Sequence, residues 1–232
     1  MKQKVLYFMI LALFMPLSIS AQNNGWVVVN DDTKEEEASK VKESKTPKMS
    51  REESDAPYLA GKVPEVDGLV TFTREYQVPG KTAAELYELT YKLVHALTKE
   101  EGQINSHITL KNDEEHSFAA RFNEWMVFSE KLLAVDRTEF HYSMVVICED
   151  GRVTLGMNHL SYIYSDGKTY KTEDWKEIKL GGGQAYKAEE WITDKEAINK
   201  KGTKLLRFNR KFRINTIDRM NEIFDIFNSV LQ

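Results

Sequence analysis

Gly80-Lys81-Thr82 is the first place in this sequence where residue type and spacing could do chemistry, because Gly-Lys-Thr ends a phosphate-binding loop. The first glycine of such a loop would fall at position 75, which is Glu75, and bulky Tyr76 and Val78 occupy the interval. Backbone amides cannot curl around a phosphate there, so the residues read as a Pro79-Gly80 turn followed by a helix cap. The five histidines come next. None stands in a spacing such as His-Glu-x-x-His, and the hairpin register derived below sends His141 and His159 to opposite faces, so they cannot share a metal. Asp113-Glu114-Glu115-His116 reads as a solvated loop. Cys148 is the single cysteine, which rules out an internal disulfide. It falls on the inward face of a strand, too far along the ladder from His159 to be an activated nucleophile. No catalytic residue, metal or cofactor is expected.

Residues 200 to 213 hold seven basic side chains and no acid, interleaved with Leu205, Leu206, Phe208 and Phe212. Two readings stand. The stretch is a solvated element bridged to acids elsewhere, or Lys204, Arg207, Arg210, Lys211 and Arg213 form a patch for an anionic partner, a lipid surface or a glycan. The whole chain has 32 Lys plus Arg against 36 Asp plus Glu, a formal charge of −4, which argues against a protein built mainly to hold nucleic acid.

These side chains need a scaffold, and the hydrophobic pattern supplies one. Val70, Phe72, Tyr76 and Val78 alternate with Thr71, Thr73, Glu75 and Gln77, the period of a half-buried strand. Thr82 and Glu85 form a capping box for a helix carrying Leu86, Leu89, Leu93 and Leu97. Strands are expected at 104–111, 117–128, 139–149 and 152–164. Asp150-Gly151 suits a two-residue hairpin turn, because both central positions need positive φ. That turn pairs Glu149 with Arg152, Cys148 with Val153, Met144 with Met157, Ser143 with Asn158, Tyr142 with His159 and His141 with Leu160. Ile217, Met220, Ile223, Phe224, Phe227 and Leu231 then make a broad apolar stripe on a closing helix begun by Asn215 or Thr216. A further helix is expected around Trp191, Ile192 and Ile198.

The N-terminal region has a different composition. Lys2 and Lys4 precede an uncharged run from Val5 to Ile19 that ends in Ser20-Ala21, the pattern of a secretory signal peptide over 1–21. Its removal leaves 30 basic and 36 acidic residues and no second run able to span a bilayer. Gly25 to Val29 is a strand-like patch, and residues 30 to 57 carry 15 charges in 28 positions with no aromatic residue. Residues 22–57 therefore read as a disordered charged linker, and 58–232 as the folded domain, with 165–213 its least defined part.

The order strand, helix, four strands and long helix, with VDGLVTFTREYQVPGKTAAELY at its start and FHYSMVVICEDGRVTLGMNHLSYIY in its hairpin, resembles a bacterial envelope family. That family is a domain of unknown function with a fold like the TATA-box-binding protein (TBP-like), found in signal-bearing proteins of Gram-negative anaerobes. The resemblance covers roughly residues 61–164, and the last helix more loosely. It implies an α+β domain with helices packed on one face of a curved antiparallel sheet, and periplasmic or cell-envelope residence. It carries no activity and no catalytic residues.

With both helices on one side, the other face of the sheet stays open and offers Thr73, His107, Arg121, Trp125, His141, Ser143, Asn158 and Tyr162. Trp125 and Tyr162 among hydroxyls and amides have the composition of a recognition surface. The leading expectation is an exported, non-enzymatic binding module that holds an envelope protein or a glycan on this face. A carrier of a small apolar ligand between sheet and helix, or an enzyme of unrecognised type, are the alternatives.

Overall fold

The computed structural model describes residues 50–131, 134–164 and 183–232. The expected signal peptide, the patch at 25–29 and the segment 165–182 lie outside the described residues. The elements in chain order are α1 (Arg51–Asp55), a 3-10 turn (Ala56–Tyr58), β1 (Glu65–Val66), β2 (Leu69–Val70), β3 (Phe72–Gln77), α2 (Ala83–Leu97), β4 (His107–Asn112), β5 (Ser117–Lys131), β6 (Ala134–Glu149), β7 (Arg152–Tyr164), β8 (Gln184–Lys187), a 3-10 turn (Ala188–Glu190), α3 (Asp194–Ala197) and α4 (Arg210–Leu231). The main sheet runs β3-β7-β6-β5-β4, all antiparallel, with β8 added to the far end of β7.

The expected strand-helix-four-strand-helix order holds, and α2 and α4 pack on the same face of the sheet. Leu86, Val94 and Leu97 from α2 and Met220, Phe224 and Phe227 from α4 are buried with Phe122, Tyr142, Met144, Leu155 and Met157 from the strands. Those side chains fill the space between sheet and α4, which leaves the reading as a carrier of an apolar ligand without an observation in its favour. Thr82 caps α2 through the capping box with Glu85, so Gly80-Lys81-Thr82 is the turn and cap read from the sequence. Cys148 is buried, its sulfur 3.4 Å from the Thr90 hydroxyl, and burial pushes its thiol pKa up.

Several sequence expectations need correction. The domain starts before Tyr58. Ser50 and Glu53 form a capping box on α1, and Asp55, fully buried, accepts from the Leu205 amide at 3.0 Å and from Arg210 Nε at 2.6 Å. Polar bonds, not apolar burial, fasten this segment, which is why composition alone assigned it to the linker. Val70 belongs to a separate ribbon with β1, turned at Asp67-Gly68 with φ of 51° and 78°. The expected helix around Trp191 is instead β8, a 3-10 turn and the short α3, with Ile198 bridged to Leu205. Finally, α4 starts at Arg210 rather than at Asn215 or Thr216. Basic residues in a first helical turn oppose the helix dipole. Here they are offset by Asp55 on Arg210, Asp136 on Lys211 and Asp194 on Arg213.

The hairpin register is as expected from Glu149–Arg152 to Ser143–Asn158 and then changes. His141 pairs with Ser161 and Phe140 with Tyr162, so β7 carries one residue more than β6 in this interval. The extra residue is a β-bulge with His159 at φ 54°. From there on the inward residues of β7 are Leu160 and Tyr162 instead of the odd-numbered series Val153, Leu155 and Met157.

Candidate functional site

Alternation along β4–β7 leaves one face of the sheet without a helix among the described residues, and the register places residues on it in rows. His107, Arg121, Ser143 and Asn158 form one row across β4, β5, β6 and β7. Leu110, Ala119, Val145, Gly156 and Thr73 form the next. On the other side of the first row lie Asn123, His141 and Ser161, and then Trp125, Glu139 and Ile163. Seven of the eight residues expected on this face are there: Thr73, His107, Arg121, Trp125, His141, Ser143 and Asn158.

Tyr162 is not. It is fully buried on the opposite face, stacked on Phe140 with ring centroids 5.4 Å apart and hydrogen-bonded to the Thr216 hydroxyl at 2.7 Å. Burial pushes its phenol pKa up strongly. The bulge at His159 accounts for the misplacement, because one extra residue reverses which side chains of a strand point inward.

The bulge does more than displace Tyr162. His159 is exposed beside Asn158, with Nδ1 2.7 Å from the Asn158 Oδ1, in the neighbourhood of Ser143 and His141. A non-glycine residue at positive φ inside a strand is a strained position of the sort found at binding sites. In the adjacent row Arg137 stacks its guanidinium 3.9 Å from the Trp125 ring centroid, and His141 Nε2 lies 3.4 Å from Glu139 Oε2. Asn123 Oδ1 and His141 Nε2 are shielded from solvent and have no hydrogen-bond partner among the described residues, polar capacity that the fold leaves unused. Arg121 and Arg137 make no ion pair among the described residues either.

Gly156 lies at the centre of the face. A side chain built on it would meet nothing within 4 Å, and its φ is outside the left-handed region, so neither backbone nor packing requires glycine. A glycine inside a strand weakens the strand and leaves room for a second molecule to approach the backbone. Sequence reasoning missed Gly156, Arg137, Glu139 and His159. Gly156 was legible as a glycine in a strand pattern, whereas His159 depends on the bulge.

The second expected site dissolves into the fold. Arg213 is fully buried, donating to the carbonyls of Tyr58, Leu59 and Ile192 and pairing with Asp194 at 2.7 Å. Arg210 is held by Asp55, Lys211 by Asp136 and the Tyr164 hydroxyl, and Lys204 by Glu52. Of the five residues in the expected anion patch only Arg207 is exposed without an ionic partner among the described residues.

A surface cleft of about 530 Å³ between β5 and α4 gathers Glu100, Glu101, Glu124, Asp218 and Glu222 around Arg219. Glu124, buried on the core face, holds Arg219 by two bonds of 2.9 Å and accepts from Gln103 at 2.6 Å. This is a structural ion pair that ties α4 to β5. No group of side chains among the described residues has the arrangement of a metal site.

The match to a family model spans residues 72–163, from the first residue of β3 to the penultimate residue of β7. That family is described as a domain of unknown function (DUF4468) with TBP-like fold. A DUF4468 family protein of Bacteroides ovatus with a crystal structure is 34% identical, with a TM-score of 0.66 over 76% of this chain and 94% of that one. A TBP-like protein of Parabacteroides distasonis shares the fold at 16% identity, with a TM-score of 0.54 over 74% of this chain and 97% of that one. No curated protein matches. By the family model and the similarity to the Bacteroides ovatus protein, the chain belongs to the DUF4468 family with TBP-like fold.

Proposed function

We propose that this protein is an exported, non-enzymatic binding module of the cell envelope, and that its ligand is a glycan held on the helix-free sheet face. The observation that carries this reading is the Trp125–Arg137 stack, with the exposed Arg121 and the row of Asn123, His141 and Ser161 on the same face. An aromatic ring offers an apolar surface to the CH face of a sugar. Amide, imidazole and guanidinium groups beside it match hydroxyls and, if present, acidic substituents. A protein partner would call for a cluster of aromatic anchors at the centre of the face, and the central row is instead Leu110, Ala119, Val145, Gly156 and Thr73. Export rests on Lys2, Lys4 and the apolar run to Ile19.

The test is a glycan array probed with residues 22–232 and with the Trp125→Ala and Arg121→Ala variants. Binding to a defined glycan class that falls about tenfold or more in each variant, at unchanged melting temperature, supports the reading. Retention by both variants overturns it. Capture of a protein, with no glycan bound, would replace the ligand class. Fractionation of the source cells, with the N-terminus read at Gln22, tests export separately.

A further inference from the structure

The segment joining α3 to α4 is built of two turns. The first has Lys200-Lys201 at its tip. Its backbone bonds run from the Gly202 amide to the Asn199 carbonyl and from the Asn199 amide to the Lys204 carbonyl. Ile198 and Leu205 bridge at its base, and Gly202 takes φ 71°, a conformation glycine supplies without strain. Leu205 turns inward to 2% exposure, and the chain then emerges again through Leu206, Arg207 and Phe208 before α4 begins. Leu206 is 41% exposed and Phe208 56% exposed, although Phe208 keeps an edge on Trp191 with ring centroids 5.1 Å apart.

The ion pairs divide the seven cations of this stretch into two sets. Lys204, Arg210, Lys211 and Arg213 are taken up by Glu52, Asp55, Asp136 and Asp194. Lys200, Lys201 and Arg207 are exposed and make no ion pair among the described residues. Within nine residues the fold therefore presents three free cations and two large apolar side chains to solvent. Charge alone accounts for the lysines and arginine as a solvated loop, but not for Leu206 and Phe208 beside them. A lipid–water boundary accounts for both, since apolar side chains enter the headgroup–acyl region while cations meet anionic headgroups. The acidic remainder of the chain does not cancel this attraction, because exposed charges are screened beyond about 10 Å at 0.1 M salt.

We propose that the loop 200–208 docks this domain on an anionic lipid bilayer, Leu206 and Phe208 entering the boundary and Lys200, Lys201 and Arg207 pairing with headgroup phosphates. The loop leads into α4, which covers the face of the sheet opposite Trp125 and Gly156. A docked domain would thus keep its ligand face turned away from the helix-covered side.

Co-sedimentation of residues 22–232 with vesicles of phosphatidylcholine alone, and with vesicles containing phosphatidylglycerol, tests this. Binding is expected to the anionic vesicles only. The triple variant K200Q/K201Q/R207Q should bind at least about tenfold less well, since each basic residue near an anionic surface adds roughly a fivefold factor. Phe208→Ser with Leu206→Ser should lose binding by a similar factor. Phe208 touches Trp191, so the melting temperature of this variant is measured alongside. The triple variant touches no core residue, so it decides the question if the serine variant proves unfolded. No binding to anionic vesicles, equal binding to both compositions, or full retention by the triple variant overturns the proposal. None of these outcomes bears on the glycan reading, which is tested on the other face.

Discussion

The carboxylate of Asp150 accepts a hydrogen bond of 2.8 Å from the backbone amide of Ala83, the first residue of α2. One residue of the β6–β7 turn therefore caps a helix that precedes it by 67 positions. The Gly151 amide donates to the Lys81 carbonyl at 2.9 Å and the Val78 amide to the Gly151 carbonyl at 2.7 Å, so hairpin turn, strand end and helix start are one hydrogen-bonded unit.

Asp150→Ala should cost about 1 kcal/mol, the usual loss for a removed helix cap, and Asp150→Asn less than that. Equilibrium denaturation in urea reads this directly. An Ala variant as stable as the parent would mean that Thr82 and Glu85 cap α2 sufficiently on their own.

Tyr162→Ala should destabilise the domain by roughly 3–5 kcal/mol, because it empties a site between Phe140, Trp191 and Phe212 and leaves the Thr216 hydroxyl unpaired. Trp125→Ala, on the opposite face, should change stability by less than about 1 kcal/mol. Thermal melts of the two variants side by side check the corrected register.

Much of the architecture was legible in the sequence. Thr82 with Glu85 specifies a helix start, and Asp150-Gly151 fixes the turn and, through it, seven residues of correct pairing on β6. What failed was non-local. Asn158-His159-Leu160 announces the bulge only weakly: the unbroken register turns His159, Ser161 and Ile163 inward, and the apolar Leu160 and Tyr162 that the bulge buries fall on the wet face in that reading. The ion pairs that recruit α1 join Asp55 to Arg210, 155 positions apart, and composition sees only charges at both places. Seven of the eight face residues survived because they stand clear of the irregular stretches: His107 precedes the shift between Ile108 and Leu110, Arg121 and Trp125 precede the one between Val127 and Ser129, and Asn158 precedes the bulge at His159.

Arg213→Met should cost several kcal/mol despite its apolar replacement. Removing the guanidinium leaves three carbonyls and the Asp194 carboxylate without their shared donor in a buried place. Asp55→Ala should have a comparable effect, since Arg210 and the Leu205 amide both lose their acceptor. Limited proteolysis should then cut first at residues 50–60 in both variants.

Alkaline pH should weaken the fold. Burial pushes the Tyr76 phenol up to about 12, above its ordinary value near 10, so the folded state binds this proton more tightly than the unfolded chain does. The stabilisation is fully present below about pH 10 and is lost as pH rises towards 12. At about 1.4 kcal/mol per unit, the loss from this residue is on the order of 2–3 kcal/mol. Tyr76→Phe, which also removes the bond to the Phe224 carbonyl, should be less stable at neutral pH but show a shallower decline between pH 9 and about 12.

Gly156→Val should raise stability, by roughly 0.5–1 kcal/mol, because a β-branched side chain suits a strand and the space above the backbone is open. The same substitution should weaken glycan capture. A variant with a higher melting temperature and undiminished binding would show that the ligand does not cross the centre of the face.

The single extra residue at His159 also constrains how the gene can change. Deleting it would restore an unbroken ladder between β6 and β7 without moving any later residue of β7, because His141–Ser161 and Phe140–Tyr162 are the pairs that the unbroken ladder then makes. Leu160 and Tyr162 would still turn inward, and Ser161 and Ile163 would stay on the other face. The pairing with β8, which begins at Ser161, would be kept. In this strand an in-frame loss of one codon is therefore tolerable at the bulge and damaging away from it, so any homologue that differs in length between Gly156 and Tyr164 should do so by this one residue.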